Sequence, residues 1–406
     1  MRFIKKTLAF FLSVLAIGFS STSLAEEQRR ARDLGAPFPG TPGPYNAITD
    51  VAGVEVGHTT IIKGKGKLVR GKGPIRTGVT AIHPRGKNSI SAVFGGWFTL
   101  NASGEMTGTT WLEERGFVDG PILITNTHSV GVARDTAVEW MVEKGWPALW
   151  HAPVAAETYD GMMSDINGFH VKPGHVRAAL ENATSGPVEE GAVGGGTGME
   201  CNDFKGGIGT SSRIVKVINK EYTVGVLVQC NYGSRESLLH VAGVPMDGLK
   251  DAPRPCFQDP ALRPEGSTRP ICGEPERPSK PIVDGSIIIV VATDAPLLPV
   301  QLNRVAKRPS LAIGRLGGVS SGGSGDIFIA FSTANEDQFD ENKVSRNIDM
   351  FPNNKLTALF GATVDATEEA IVNAMIGAKT MTGINTYTIS ELPEDKFEKI
   401  MEDATK

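Results

Sequence analysis

The feature that most constrains this chain is the run Ser286-Ile287-Ile288-Ile289-Val290-Val291-Ala292. Everything after the serine is apolar and nearly all of it β-branched. A strand with one wet face alternates apolar and polar residues. A strand without alternation is buried on both faces and needs a layer above it and another below. Residues 327–331, Ile-Phe-Ile-Ala-Phe, repeat the pattern. Such strands call for a layered fold around more than one apolar interface.

The rest of the chain supplies the layers. Residues 77–82, 91–94, 121–125 and 222–229 are further β-rich runs between glycine turns. Residues 134–144 are helical in pattern, with Ala137, Val138 and Met141 on one face. Residues 298–307 also look helical. Asp365 with Glu368 reads as a capping box opening a helix that carries Ile371, Val372, Met375 and Ile376 on its apolar side. Regular βαβ alternation is missing, so an α+β sandwich is expected rather than a doubly wound sheet. The 48 glycines among 406 residues suit a compact protein rich in tight turns.

The chain begins with Arg2, Lys5 and Lys6, an apolar run over 8–19, and Ser23-Leu24-Ala25. That is the layout of a secretory signal peptide over residues 1–25. The apolar run is shorter than the ~20 residues that span a bilayer. The mature protein is therefore expected in the periplasm or outside the cell, free of the membrane. Residues 26–46 are polar and proline-rich and read as an amino-terminal arm. The net charge is −4 and the basic residues are scattered, which argues against nucleic acid as a partner. Cys256 and Cys272 lie in a proline- and charge-rich stretch, 251–281, that reads as an exposed loop. An oxidising compartment could join them. Cys201 and Cys230 are expected to be buried and inert. Neither pair has zinc-ligand spacing, so no metal site is expected.

Three motifs suggest chemistry and fail on context. Gly194-Gly195-Gly196-Thr197-Gly198 lacks the Lys-Ser/Thr of a phosphate loop and the dinucleotide spacing, and reads as close backbone packing or an active-site wall. Gly318-Val319-Ser320-Ser321-Gly322 matches a hydrolase elbow, but a helix precedes it and a strand follows, the reverse of what an elbow requires. Ser320 is thus expected in a loop. Of the seven histidines none sits in a triad motif. His128 is the best candidate, and a structural or pocket-lining role is the more ordinary reading.

Gly285-Ser286 is different. A proline-rich loop enters the pair and a buried strand starts at once, which holds the serine rigidly at a sheet end. Glycine lets the carbonyl of residue 285 approach the serine hydroxyl closely. An N→O acyl shift and hydrolysis would free Ser286 as an amino terminus. Its α-amine, with an ordinary pKa of ~7.7–8, would then serve as base for its own hydroxyl, and no histidine would be needed. Gly-Ser ahead of a strand is also a common simple turn, and the pattern alone leaves both readings open.

From about residue 48 onward the chain resembles the DmpA-type L-aminopeptidase/D-esterases and β-peptidyl aminopeptidases. The likeness rests on Gly73-Pro74-Ile75-Arg76-Thr77-Gly78-Val79-Thr80-Ala81-Ile82, Glu157-Thr158-Tyr159-Asp160-Gly161, Gly194 to Met199, Gly206-Gly207-Ile208-Gly209-Thr210-Ser211-Ser212-Arg213, Asp284-Gly285-Ser286, Ala292-Thr293-Asp294-Ala295-Pro296-Leu297-Leu298-Pro299 and Ser324-Gly325-Asp326-Ile327-Phe328.

The resemblance implies a four-layer α-β-β-α sandwich of the DOM type, layered like an amino-terminal nucleophile (Ntn) hydrolase but wired differently. It implies cleavage between Gly285 and Ser286 into an α chain (26–285) and a β chain (286–406). The two would stay associated, as a homotetramer of αβ units without metal or organic cofactor. Ser286 would attack the substrate carbonyl. Ser324 and Asp326 match the pair that orients the nucleophile's surroundings, with Asp326 shorter than the Glu of some β-peptidyl members. Asn231 and Tyr159 match the oxyanion donors, and Glu157 the carboxylate that binds the substrate's free amine. Substrates would be short peptides, amides or esters bearing an amino-terminal β-amino acid or an L- or D-α-amino acid. Two other readings compete: an acyltransferase of the ornithine acetyltransferase layout, and a non-catalytic periplasmic binding protein of the same fold.

Overall fold

The computed structural model describes residues 29–147, 149–274, 285–336, 345 and 347–404. The expected leader, 1–25, and Asp284 lie outside the described residues. Two sheets form the centre. Their strands, in chain order, are β1 (Glu55–Lys63), β2 (Ile75–His83), β3 (Val93–Ala102), β4 (Phe117–Val118), β5 (Ile122–Asn126), β6 (Val154–Thr158), β7 (Ile208–Val217), β8 (Lys220–Asn231), β9 (Ser286–Thr293) and β10 (Gly325–Ser332). The first sheet has the order β1-β2-β5-β6 and the second β4-β3-β10-β9-β8-β7. The helices that cover them are α1 (Thr109–Arg115), α2 (Val130–Glu143), α3 (Pro173–Glu181), α4 (Pro299–Ala306), α5 (Pro309–Arg315), α6 (Leu356–Ile376) and α7 (Glu394–Ala404).

Side-chain parity along the strands builds three apolar interfaces. On β9, Ile287, Ile289 and Val291 meet Leu302 and Val305 of α4, Ile313 of α5 and Leu359 and Ala370 of α6. The alternate residues, Ile288, Val290 and Ala292, face the other sheet and join Ile82, Ile122, Ile124 and Ala156. Behind the first sheet, Val79, Ala81, Leu123 and Ala155 pack on Ala137 and Met141 of α2 and Val176 and Leu180 of α3. Helices, sheet, sheet, helices: this is the expected α+β sandwich of four layers, and the central strands have no wet face for the reason given by their composition.

Several sequence expectations need correction. The helix assigned to the Asp365–Glu368 capping box starts nine residues earlier, at Leu356. Asp365 and Glu368 lie inside it and hold Arg315. Cys201 and Cys230 are buried as expected but are joined in a disulfide that was not foreseen, while Cys256 and Cys272 form the bridge that was. The described part of the arm, 29–46, packs down, with Ala31, Leu34, Ala36 and Phe38 buried among α6 and α7 residues. Arg30 pairs with Glu190 and Arg32 with Glu369. Finally, the described part of the 251–281 stretch is no free loop. Cys256–Phe257 pairs antiparallel with Tyr387–Ile389, and Phe257 packs with Met163, Tyr387 and Ile389.

Candidate active site

Residue 286 opens β9. By parity its side chain shares the face of Ile288 and Val290, toward the space between the sheets, at the sheet's end. The neighbouring β8 ends there too, and Asn231 is the cross-strand partner of Ser286. On the other side β10 runs parallel, with Gly325 opposite Ser286. The Gly325 N–H donates to Ser286 Oγ at 3.2 Å and to the Gly285 carbonyl at 3.1 Å. One backbone donor thus touches both the hydroxyl and the carbonyl of the preceding peptide. Glycine at 285 is dictated by space: a Cβ there would lie 2.2 Å from the Asn231 carbonyl oxygen and 2.7 Å from Tyr232 Cα.

These residues open into a cavity of about 570 Å³. Ser286, Gly285, Asn231, Tyr159 and Glu157 all line it, so five of the sequence candidates converge on one pocket. Asn231 is fixed at both ends of its amide. Oδ1 accepts from Glu200 N–H at 2.8 Å and Nδ2 donates to the Tyr159 carbonyl at 3.0 Å. An amide nitrogen has two protons, so one remains beside Ser286 for a ligand. Tyr159 is half exposed, and Gly161 makes room for its ring: a Cβ at 161 would sit 2.2 Å from the phenolic oxygen.

Glu157 comes from β6 of the other sheet and is buried, at 3% exposure. Its Oε1 accepts from Glu105 N–H at 3.0 Å and its Oε2 from the Thr127 hydroxyl. Burial raises its carboxyl above the ordinary value, and those two bonds oppose the rise. Among the described residues no salt bridge pairs this carboxylate, and a buried carboxylate beside an open pocket is suited to a cation.

Ser324 and Asp326 stand apart from this wall. Ser324 Oγ donates to Asp326 Oδ1 at 2.6 Å, both are buried, and neither lines the cavity among the described residues. Asp326 is in register with Ile287 and shares its face of the sheet, not that of Ser286. Burial raises its carboxyl; Ser324, Ser320 and the Ile287 N–H pull it back. Ser320 lies in a loop with φ +50°. His128 stacks on Phe169 and does not line the pocket among the described residues. Gly194–Gly198 forms a buried 3₁₀ turn wedged against the strands, where a Cβ on Gly195 would sit 2.2 Å from Gln229 Oε1. Close packing is its role, apart from Gly198, which reaches the pocket wall.

Sequence reasoning missed the Gly325 donor, the Thr127 and Glu105 supports of Glu157, and a second charged group in the wall, Glu200 with Arg269. The cysteines at 256 and 272 were the available sign that Arg269, between them, is held in place.

Residues 46–389 match peptidase family S58. The β-peptidyl aminopeptidase BapA of Sphingosinicella microcystinivorans is 53% identical over 394 residues, 96% of each chain. BapA of Sphingosinicella xenopeptidilytica is 45% identical over 396 residues, 96% of this chain and 95% of its own. Among solved structures, the L-aminopeptidase D-Ala-esterase/amidase of Ochrobactrum anthropi, described as a prototype serine aminopeptidase with a variant Ntn-hydrolase fold, superposes with a TM-score of 0.81. It is 42% identical, over 93% of this chain and 99% of that one. With that fold and that serine-lined pocket, the chain belongs to peptidase family S58 and is a serine aminopeptidase of the Ntn-hydrolase type.

Proposed function

We propose that this aminopeptidase breaks its own Gly285–Ser286 bond, and that the freed Ser286 releases amino-terminal β-amino acids from short peptides and amides. The observation that carries the reading is the sharing of one cavity by Ser286, the amide of Asn231 and the buried carboxylate of Glu157. The β-peptidyl preference is supported by the two BapA relatives. The likeness to the L-aminopeptidase supports a second range of substrates, L- and D-α-amino acid amides and esters.

In self-cleavage, Ser286 Oγ adds to the Gly285 carbonyl carbon, whose oxygen already accepts from Gly325 N–H. The departing nitrogen takes the proton that Oγ loses, the C–N bond breaks, and Gly285 is left as an ester on Ser286. Water hydrolyses the ester to a Gly285 carboxylate and a free Ser286 amine. In turnover that amine takes the hydroxyl proton as Oγ attacks the substrate carbonyl. Asn231 Nδ2 and the Tyr159 hydroxyl stabilise the oxyanion, a contribution worth about 10²–10³ in rate per donor. Glu157 binds the substrate's ammonium and so fixes the scissile bond one residue from the amino terminus. The proton then passes to the leaving amine, and water releases the acyl group. The Ser324–Asp326 pair, beside Ile287 N–H, orients the terminus. An amino-terminal leader exports the chain, and αβ units assemble as a homotetramer.

The test is Ser286→Ala. The wild type should run as two bands on a denaturing gel, the smaller starting at Ser286. The variant should run as one band and hydrolyse neither β-homoalanine nor L-alanine p-nitroanilide. Two bands from the variant would overturn the reading. The ratio of kcat/KM for the two anilides in the wild type decides between β- and α-amino-acid preference.

A further inference from the structure

The pocket has a second charged pole that the aminopeptidase reaction does not use. Arg269 lines the same cavity as Ser286. It comes from the segment between Cys256 and Cys272, which the disulfide closes and which pairs with the Tyr387–Ile389 strand. Two carboxylates hold its guanidinium: Nη2 to Glu200 Oε1 at 2.5 Å and Nη1 to Asp203 Oδ1 at 2.7 Å. An arginine has five N–H donors. These two bonds leave three without a protein acceptor among the described residues, and Nε is buried without any partner. Asp203 is shared: Arg254 pairs with it and with Glu236, the Arg235 backbone N–H donates to its carboxylate, and the Arg235 guanidinium donates to its backbone carbonyl.

The position of Arg269 relative to Ser286 gives the pole its meaning. In the second sheet the strands run β3-β10-β9-β8, with Ser286 on β9. Glu157 comes in on the β3–β10 side: Gly104, just past β3, sits against Gly325 Cα, and a Cβ on Gly104 would lie 3.0 Å from Glu157 Oε1. Arg269 comes in on the β8 side, through Glu200, whose N–H is bonded to the side chain of Asn231. The nucleophile therefore stands between a buried carboxylate and a guanidinium.

A peptide cut after its first residue has the complementary charge pattern. Its ammonium lies on the acyl side of the scissile carbonyl and, in a dipeptide, a carboxylate lies on the leaving side. Planar guanidinium donors recognise a carboxylate in paired fashion. Resting on the assignment of Ser286 as nucleophile and Glu157 as ammonium site, we propose that Arg269 binds the free carboxylate of the leaving amino acid, which makes dipeptides with a carboxylate terminus the preferred substrate class. The 256–272 loop is thereby part of the specificity apparatus.

The test compares β-homoalanyl-leucine with β-homoalanyl-leucinamide, which differ only in that carboxylate. Wild-type enzyme should favour the acid in kcat/KM by tenfold or more, chiefly through KM. In Arg269→Gln that preference should fall at least tenfold, and Arg269→Lys should restore part of it. The ratio reports recognition, because a loop that merely collapsed would lower both substrates alike. A wild type that is indifferent or prefers the amide overturns the inference without needing any variant. So does an Arg269→Gln protein with an unchanged ratio. If β-homoalanine p-nitroanilide is also left intact by the wild type, it is the nucleophile assignment that fails. Hydrolysis of the anilide without carboxylate preference refutes the role of Arg269 alone.

Discussion

Glu157→Gln tests the physical basis of aminopeptidase specificity. The side chain keeps its length and most of its partners. The amide oxygen can still accept from Glu105 N–H, and the amide nitrogen can donate to the Thr127 hydroxyl that now donates to the carboxylate. The change removes charge, not shape. Hydrogen bonds to charged groups contribute about 1.5–3 kcal/mol, and about 1.4 kcal/mol is tenfold in an equilibrium constant. The kcat/KM for a free-amine substrate such as β-homoalanine p-nitroanilide should thus fall about 10- to 150-fold. With the N-acetylated anilide, which has no ammonium, the variant should lose little or nothing relative to wild type. The acid limb adds a second readout. Burial raises the Glu157 carboxyl, so activity on free amines should decline in the wild type as pH falls through a value above the ordinary carboxylate range. The Ser286 amine adds its own acid limb in both proteins, so the wild type, where Glu157 also protonates, should fall more steeply as pH drops, and the variant should keep the amine's limb alone. Equal losses on the two anilides, or an unchanged acid limb, would show that Glu157 supports the wall and does not bind the amine.

Gly285→Ala should slow processing about 100-fold, because a methyl 2.2 Å from the Asn231 carbonyl must move the scissile peptide by roughly 1 Å. Densitometry of precursor against time measures it, and a wild-type rate would show that the peptide is not held as described. Asp160→Asn should change stability in a pH-dependent way. Burial pushes the Asp160 carboxyl up to about 7, against hydrogen bonds from Thr77 and Asn126. The unfolded chain releases that proton near pH 4. The contribution of the protonated group is therefore complete below about pH 4 and is lost as pH rises to about 7. The variant-minus-wild-type Tm should rise across that window, corresponding to a few kcal/mol. A flat difference would mean the site is not dry.

Much of this was written in the residues. The run from Ser286 to Ala292 predicts a strand without a wet face, and β9 is buried along its whole length. Parity along that run also puts Ser286 on the inter-sheet face. The start of α6 was not legible, because no side chain caps it at Lys355 and its opening turns bury only Leu356 and Leu359, while the helix beyond Ala362 is buried almost all round and offers no amphipathic stripe. The one pattern that looked like a cap, Asp365 with Glu368, consists of acids that clamp Arg315. The Cys201–Cys230 disulfide spans a sequence separation of 29 and depends on the Glu200–Cys201 strand meeting the end of β8, which no local signal reports. Arg269 was hidden for a similar reason. A segment with no periodicity reads as solvent-exposed unless the partners that anchor it are known.

The register of β9 against β10 bears on which group can act as base. Asp326 is the carboxylate closest in sequence pattern to Ser286, and a simple reading would let it accept the hydroxyl proton. Register forbids that directly: Asp326 is level with Ile287 and on Ile287's face, while Ser286 points to the other side of the sheet. What Asp326 can reach is backbone, the Ile287 N–H, one residue from the nitrogen of Ser286. A carboxylate placed there stands one residue from the backbone nitrogen of Ser286 and on the opposite face from its hydroxyl. In the intact chain that nitrogen is not an amino terminus, and Gly285 itself lines the cavity that a substrate would enter. Both facts point the same way. Breaking the 285–286 bond would create the base and clear the pocket in one event, so an uncleaved precursor should be inactive for two separate reasons. A variant that cleaves but leaves the Gly285 end seated in the pocket would retain the base and still be inhibited, competitively with substrate.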